Sequence, residues 1–160
     1  MKASVYLETT ILSYLVARPS RDLVVAAHQQ ITREWWEKHK PHFNCYISEA
    51  VIEEVRAGDP HQAKKRIEML DQLPSLASTP AAMHLVEDLL RKKIIPPKAV
   101  QDAVHIAVAA AGSVDFLLTW NCTHIANAMI EARISALCRD HGFQPPVICT
   151  PEELMVASPQ

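Results

Sequence analysis

The chain has 160 residues, 49% hydrophobic and 21% charged, the composition of one ordinary globular domain long enough to bury a full core. Its 16 basic residues against 18 acidic ones give a net charge of −2, which excludes a strongly basic nucleic-acid coat but leaves room for an RNA-processing enzyme. No apolar run reaches the roughly 18 residues of a membrane span, and the start, Met1 to Glu8, lacks the long apolar segment and cleavage site of a secretory signal.

Cys45, Cys122, Cys138 and Cys149 are widely spaced and form no Cys-x-x-Cys pair, so buried reduced thiols in a cytoplasmic protein are expected. The eight histidines show no metalloprotease spacing.

In chain order, Ser4 to Leu7 reads as a buried strand. A short helix follows from Thr10 to about Val16, broken at Arg18-Pro19-Ser20. An amphipathic helix runs from about Asp22 to His39, carrying Leu23, Ala26, Ala27, Ile31, Trp35 and Trp36, and Lys40-Pro41 ends it. Phe43 to Ile47 is a second strand. Ser48 is placed as N-cap of the helix that continues through Glu54 to about Arg56, closed by Gly58. Asp59-Pro60-His61-Gln62 has the form of a capping box and opens a helix to about Leu73.

Leu76 to Ser78 is a short third strand, and Thr79-Pro80 starts a helix to about Lys93. After the stiff Ile94 to Pro97 connection comes a helix of residues 99–111, ended by Gly112. Asp115 to Thr119 is the fourth strand. A helix from about Cys122 to His141, the strand Val147 to Cys149 and a capped turn at Thr150 complete the chain. Residues 1–156 form the expected domain and 157–160 a flexible tail. Strands alternating with helices predict an α/β fold with a mostly parallel sheet covered on both faces, whose ligands sit beyond the strands' carboxyl ends.

The helix around Asp102 is apolar on nearly every side, the mark of a core helix. A carboxylate there has to be paired, face a cleft or bind a cation, because burying it bare costs several kcal/mol or more. Glu8 ends the first strand and Glu54 lies one helix past the second. Asn121 follows the fourth. The topology brings all four to one edge of the sheet, and clustered acids there point to a divalent cation. Each residue also has an ordinary reading: Asp102 facing solvent or paired with Lys98, Glu8 and Glu54 as surface acids, Asn121 as a turn or capping residue. His105 reads as a hydrogen-bonded core residue, His124 as structural, and Trp35-Trp36 as packing in the core or at a subunit interface. Arg18, Arg21, Arg56 and Arg91-Lys92-Lys93 read as solvated surface, with a phosphate backbone as the alternative. The three glycines form no phosphate-cradling loop, and no nucleophile elbow occurs.

In this order, the motifs Val5-Tyr6-Leu7-Glu8-Thr9-Thr10, Ser48 with Glu54, Asp102-Ala103-Val104-His105-Ile106-Ala107 and Leu117-Leu118-Thr119-Trp120-Asn121 resemble those of the PIN-domain (PilT N-terminus) family. That family comprises metal-dependent ribonucleases and includes VapC-type toxins. The resemblance covers about residues 4 to 150. It implies a three-layer α/β/α sandwich around an about five-stranded sheet of order 3-2-1-4-5, and a homodimer.

It also implies Mg²⁺ or Mn²⁺ held by Glu8, Glu54 and Asp102, with Asn121 as a fourth catalytic position and Thr10 and Thr119 in support. The implied substrate is RNA, and the implied partner, if the chain is a toxin, is a protein antitoxin. Two departures stand out: Glu8 replaces the usual Asp, and Asn121 occupies a place where a carboxylate is common. The competing expectation is therefore a weak or inactive PIN-like module that binds RNA or protein.

Overall fold

The computed structural model describes residues 1–157; the tail expected from residue 157 lies, from Ser158 onward, outside the described residues. Five strands, β1 (Ser4–Leu7), β2 (Asn44–Ser48), β3 (Ser75–Leu76), β4 (Phe116–Leu118) and β5 (Val147–Cys149), form one sheet of order β3-β2-β1-β4-β5. All four pairings are parallel, with Tyr6 opposite both Tyr46 and Leu117. Seven α-helices flank it: α1 (Thr9–Val16), α2 (Leu23–Glu34), α3 (Glu49–Arg56), α4 (Pro60–Leu70), α5 (Pro80–Arg91), α6 (Val100–Ala111) and α7 (Ala128–Asp140). This is the expected α/β fold with the expected strand order.

The order reverses direction at β1. The chain steps one way from β1 through β2 to β3, then crosses back to β4 and β5. Right-handed crossovers put the helices of the two excursions on opposite faces. Within each excursion α1 packs on α2 and α4, α3 on α4, and α5 on α6 and α7, while α3 also meets α6 across the two. The strands read as continuous apolar runs because both faces are covered. Val5, Tyr6, Leu7, Leu117 and Leu118 are fully buried, as are Ile106, Ala107 and Ala109 of α6. Leu117 lies in a sheet strand with helices on both sides, so Leu117→Ala is expected to lower unfolding free energy by about 2–5 kcal/mol in urea titrations, with little change in m value.

Four sequence expectations shift, each for a local reason. The long second helix stops at Glu34 and continues as a π-helical turn over Trp35–His39, where the Lys40 amide bonds back to the Trp35 carbonyl before Pro41. That turn seats Trp35 fully in the core, with Nε1 donating to the Leu154 carbonyl at 2.9 Å. The third strand is Ser75–Leu76 rather than 76–78, set by Ile47 and Ser48 of its neighbour. The last helix begins at Ala128, not Cys122. Asn121 Oδ1 captures the Thr123 and His124 amides in a tight turn, and Asn127 then caps α7 through the Met129 amide. Of the four cysteines, Cys45, Cys138 and Cys149 are buried as expected, whereas that turn leaves Cys122 exposed.

Candidate functional site

The reversal point lies between β1 and β4, where the two chains leave the sheet in different directions and open a crevice at its carboxyl edge. Glu8 sits there, one residue past β1, and only 2% of it is exposed. Its side chain turns onto the start of its own helix: Glu8 is the N-cap of α1, and Oε1 accepts from the Thr10 amide at 3.2 Å. The Thr10 hydroxyl and the Thr119 hydroxyl, the latter at 2.7 Å from the end of β4, donate to the same oxygen. Three donors therefore pin Oε1, while Oε2 has no donor among the described residues. Burial pushes the Glu8 carboxyl above its ordinary range, and the charge of His105 with the Thr10 and Thr119 bonds offsets part of that rise.

Glu54 reaches the same pocket from α3. Its Oε1 accepts from the Thr9 hydroxyl at 2.9 Å and from Nε2 of His105. Burial raises the Glu54 carboxyl, but the His105 hydrogen bond and charge, with the Thr9 bond, outweigh it and hold Glu54 below the usual range. Ligand atoms of Glu8, Glu54 and His105 all lie within 4.8 Å of one another.

The trio expected from the sequence was Glu8, Glu54 and Asp102; the trio gathered this closely substitutes His105 for Asp102. Asp102 is in the first turn of α6, three residues before His105 and so on the same flank of the helix. Its Oδ2 meets Nδ1 of His124 at 3.0 Å, so its partner is His124 and not Lys98. Asn121 serves as a capping residue: Oδ1 takes the amides of Thr123 and His124 and so fixes the turn that carries His124. Thr10 and Thr119 support Glu8 directly, and the Thr10 hydroxyl also accepts the Trp120 amide at 2.9 Å. Asp115 lies at the opposite, amino edge, bonded to Ser4.

Sequence reasoning placed His105 correctly in the core, fully buried, but missed its contact with Glu54. The signal available was its position one helical turn after Asp102, which puts both on one flank. Ser48 stands at the N-cap position of α3 but makes no side-chain cap; its hydroxyl lies 2.6 Å from the Tyr6 hydroxyl.

Two carboxylates and an imidazole suit a divalent cation of the Mg²⁺ to first-row transition class. The fit rests on the pinning: each glutamate offers protein donors one oxygen, leaving the other without a donor among the described residues.

No protein-family profile matches the chain, and no curated protein matches it in sequence. Among solved structures it is similar to a chain of the crystal structure of VapBC2 from Rickettsia felis bound to a DNA fragment from their promoter. The TM-score is 0.57 at 14% identity, over 92% of this chain and 98% of that one. The likeness establishes a shared fold.

A raised carboxyl pKa means that the fold disfavours ionised Glu8. The cost grows as pH rises from the unfolded value toward the folded one, then persists at neutral pH. Glu8→Gln keeps an acceptor for Thr10 and Thr119 without the charge. It is expected to raise the melting temperature of the metal-free protein at pH 7, with the gain shrinking toward pH 4. A lower melting temperature than wild type at pH 7 would contradict the desolvation argument.

Proposed function

We propose that this chain is a metal-dependent endoribonuclease, in which Glu8, Glu54 and Asp102 hold Mg²⁺ or Mn²⁺ at the carboxyl edge of the sheet. The observation that carries this reading is the convergence of Glu8 and Glu54, remote in sequence, onto one buried pocket at the strand-order reversal. Chains leaving a parallel sheet in opposite directions make that crevice the usual ligand position.

When bound, such a cation lowers the pKa of a water and offsets phosphate charge. The chain's own contribution is preorganisation. Thr10 and Thr119 fix Glu8, and Thr9 and His105 fix Glu54. Asp102 stands nearer solvent, its side chain 17% exposed, on the flank that an incoming phosphodiester would reach first. Asn121 acts indirectly, by holding the turn that presents His124 to Asp102. Without a cation the acids would repel both one another and the substrate, so metal dependence follows from their number.

The fold shared with a chain of VapBC2, bound there to a DNA fragment from their promoter, supports a narrower form of the reading: the toxin of a toxin–antitoxin pair, acting in the cytoplasm with a separate protein antitoxin. No helix among the described residues is long and apolar enough to cross a membrane.

One feature favours a second reading, a PIN-like module that binds RNA or protein without cutting it. Asp102 is already paired with His124, and Asn121 spends its side-chain oxygen on the turn. The readings part on one assay. The nuclease is expected to cleave single-stranded RNA in Mn²⁺ and to stop when the metal is chelated. Asp102→Asn and Glu54→Gln are each expected to lose more than about 100-fold, since each removes a proposed ligand, where loss of an outer partner alone costs about 10–100-fold. Equal cleavage by wild type and Asp102→Asn discards the assigned site. Millimolar Mn²⁺ that fails to bind in calorimetry leaves the non-catalytic module.

A further inference from the structure

Behind Glu54 lies a buried row of side chains from three separate segments: Ser48 at the end of β2, Tyr6 in β1 and His105 in α6. Ser48 is 1% exposed and the other two are fully buried. The Tyr6 hydroxyl is 2.6 Å from Ser48 Oγ and 2.7 Å from Nδ1 of His105. On the other side of the ring, Nε2 abuts Glu54 Oε1. Burying this many polar atoms is tolerable only if each has a partner.

For a neutral His105 ring, donor and acceptor rules fix the direction of the chain. An ionised carboxylate only accepts, so Nε2 carries the proton and donates to Glu54. In a neutral ring Nδ1 is then the acceptor, and the Tyr6 hydroxyl donates to it. The Tyr6 oxygen in turn accepts from Ser48 Oγ–H. All links run one way, from Ser48 to Glu54.

We propose that Ser48, Tyr6 and His105 are positioning residues for Glu54, holding one of its oxygens from beneath so that the other is turned toward the cation. The inference rests on the reading of this pocket as a cation site. The opposing arrangement makes His105 itself a ligand. That requires a bare Nε2, with the proton on Nδ1 donating to Tyr6. Placement favours the positioning role: the ring is wholly enclosed, while the Glu54 side chain is 32% exposed and is the member facing the crevice.

Three measurements test it. Nitrogen NMR of the ¹⁵N-labelled protein, metal-free and with Mg²⁺, is expected to show His105 protonated at Nε2 in both. A bare Nε2 with Mg²⁺ overturns the proposal. Calorimetry with Mn²⁺ is expected to show affinity about 10–100-fold lower for His105→Leu, the usual range for losing an outer partner. Tyr6→Phe should lose less, and His105→Gln, whose amide N–H can still donate, should recover most of the loss.

Undiminished affinity in a folded His105→Leu protein, or imidazole-nitrogen coupling to bound Mn²⁺ in pulsed electron paramagnetic resonance of wild type, removes the positioning role and leaves the cation site intact. If His105→Leu fails to fold, Tyr6→Phe and the wild-type ring assignment decide the matter. Wild type that takes up no Mn²⁺ sinks this proposal together with the cation reading.

Discussion

A carboxylate sealed at the end of a parallel strand is the constraint around which this structure is arranged. Glu8 is almost entirely removed from water, and an ionised group there is tolerable only with dedicated donors. Those donors come from two directions. Thr10 belongs to the helix that Glu8 itself caps, and Thr119 to the strand paired with β1. The same contacts knit the crevice shut: the Glu8 amide bonds the Leu118 carbonyl, Thr119 bonds the Cys149 carbonyl, and the Trp120 amide bonds Thr10. The relative position of β1, β4 and β5 at the carboxyl edge and the orientation of Glu8 are thus one problem with one solution.

The other two acids are handled differently. Each is tied to a histidine from another segment: Glu54 on α3 to His105 on α6, and Asp102 on α6 to His124 in the turn after β4. The two pairs form a ladder that links α3, α6 and the 121–126 turn. They also relieve a charge conflict, since three carboxylates near one crevice repel one another unless positive or hydrogen-bonding groups intervene. A chain with Asn121 in place of a fourth acid has less repulsion to relieve. Its amide accordingly organises the turn instead of the pocket.

Much of this was legible in the sequence, and the reason is periodicity. Short apolar runs at Ser4 to Leu7 and Val147 to Cys149 read as strands, and the observed strands coincide with them. The isolated charge at Asp102 in an apolar helix drew attention to α6, and the strand order implied by the family resemblance matches the reversal at β1. What was not legible depends on contacts between remote segments. That the Ser48 hydroxyl would meet Tyr6 depends on a residue 42 positions away. That Asp102 would meet His124 rather than Lys98 depends on a turn whose shape is set by Asn121. His105 was read as core, which it is. Its second face, toward Glu54, emerges only when α3 and α6 are packed together.

The site therefore has two levels. Glu8 and His105 form a floor that water scarcely reaches, whereas Asp102 and His124 form a rim with side chains 17% and 25% exposed. Glu54 bridges them, held at one oxygen by the floor and exposed on its other side. Fixed hydrogen bonds are strongest where water is excluded, so precision is concentrated in the floor. The rim keeps contact with solvent. On the proposed reading, that division assigns geometry to Glu8 and Glu54 and leaves substrate approach to the flank of α6 around Asp102. Glu8 also caps α1, joining the start of a helix to the floor of the pocket.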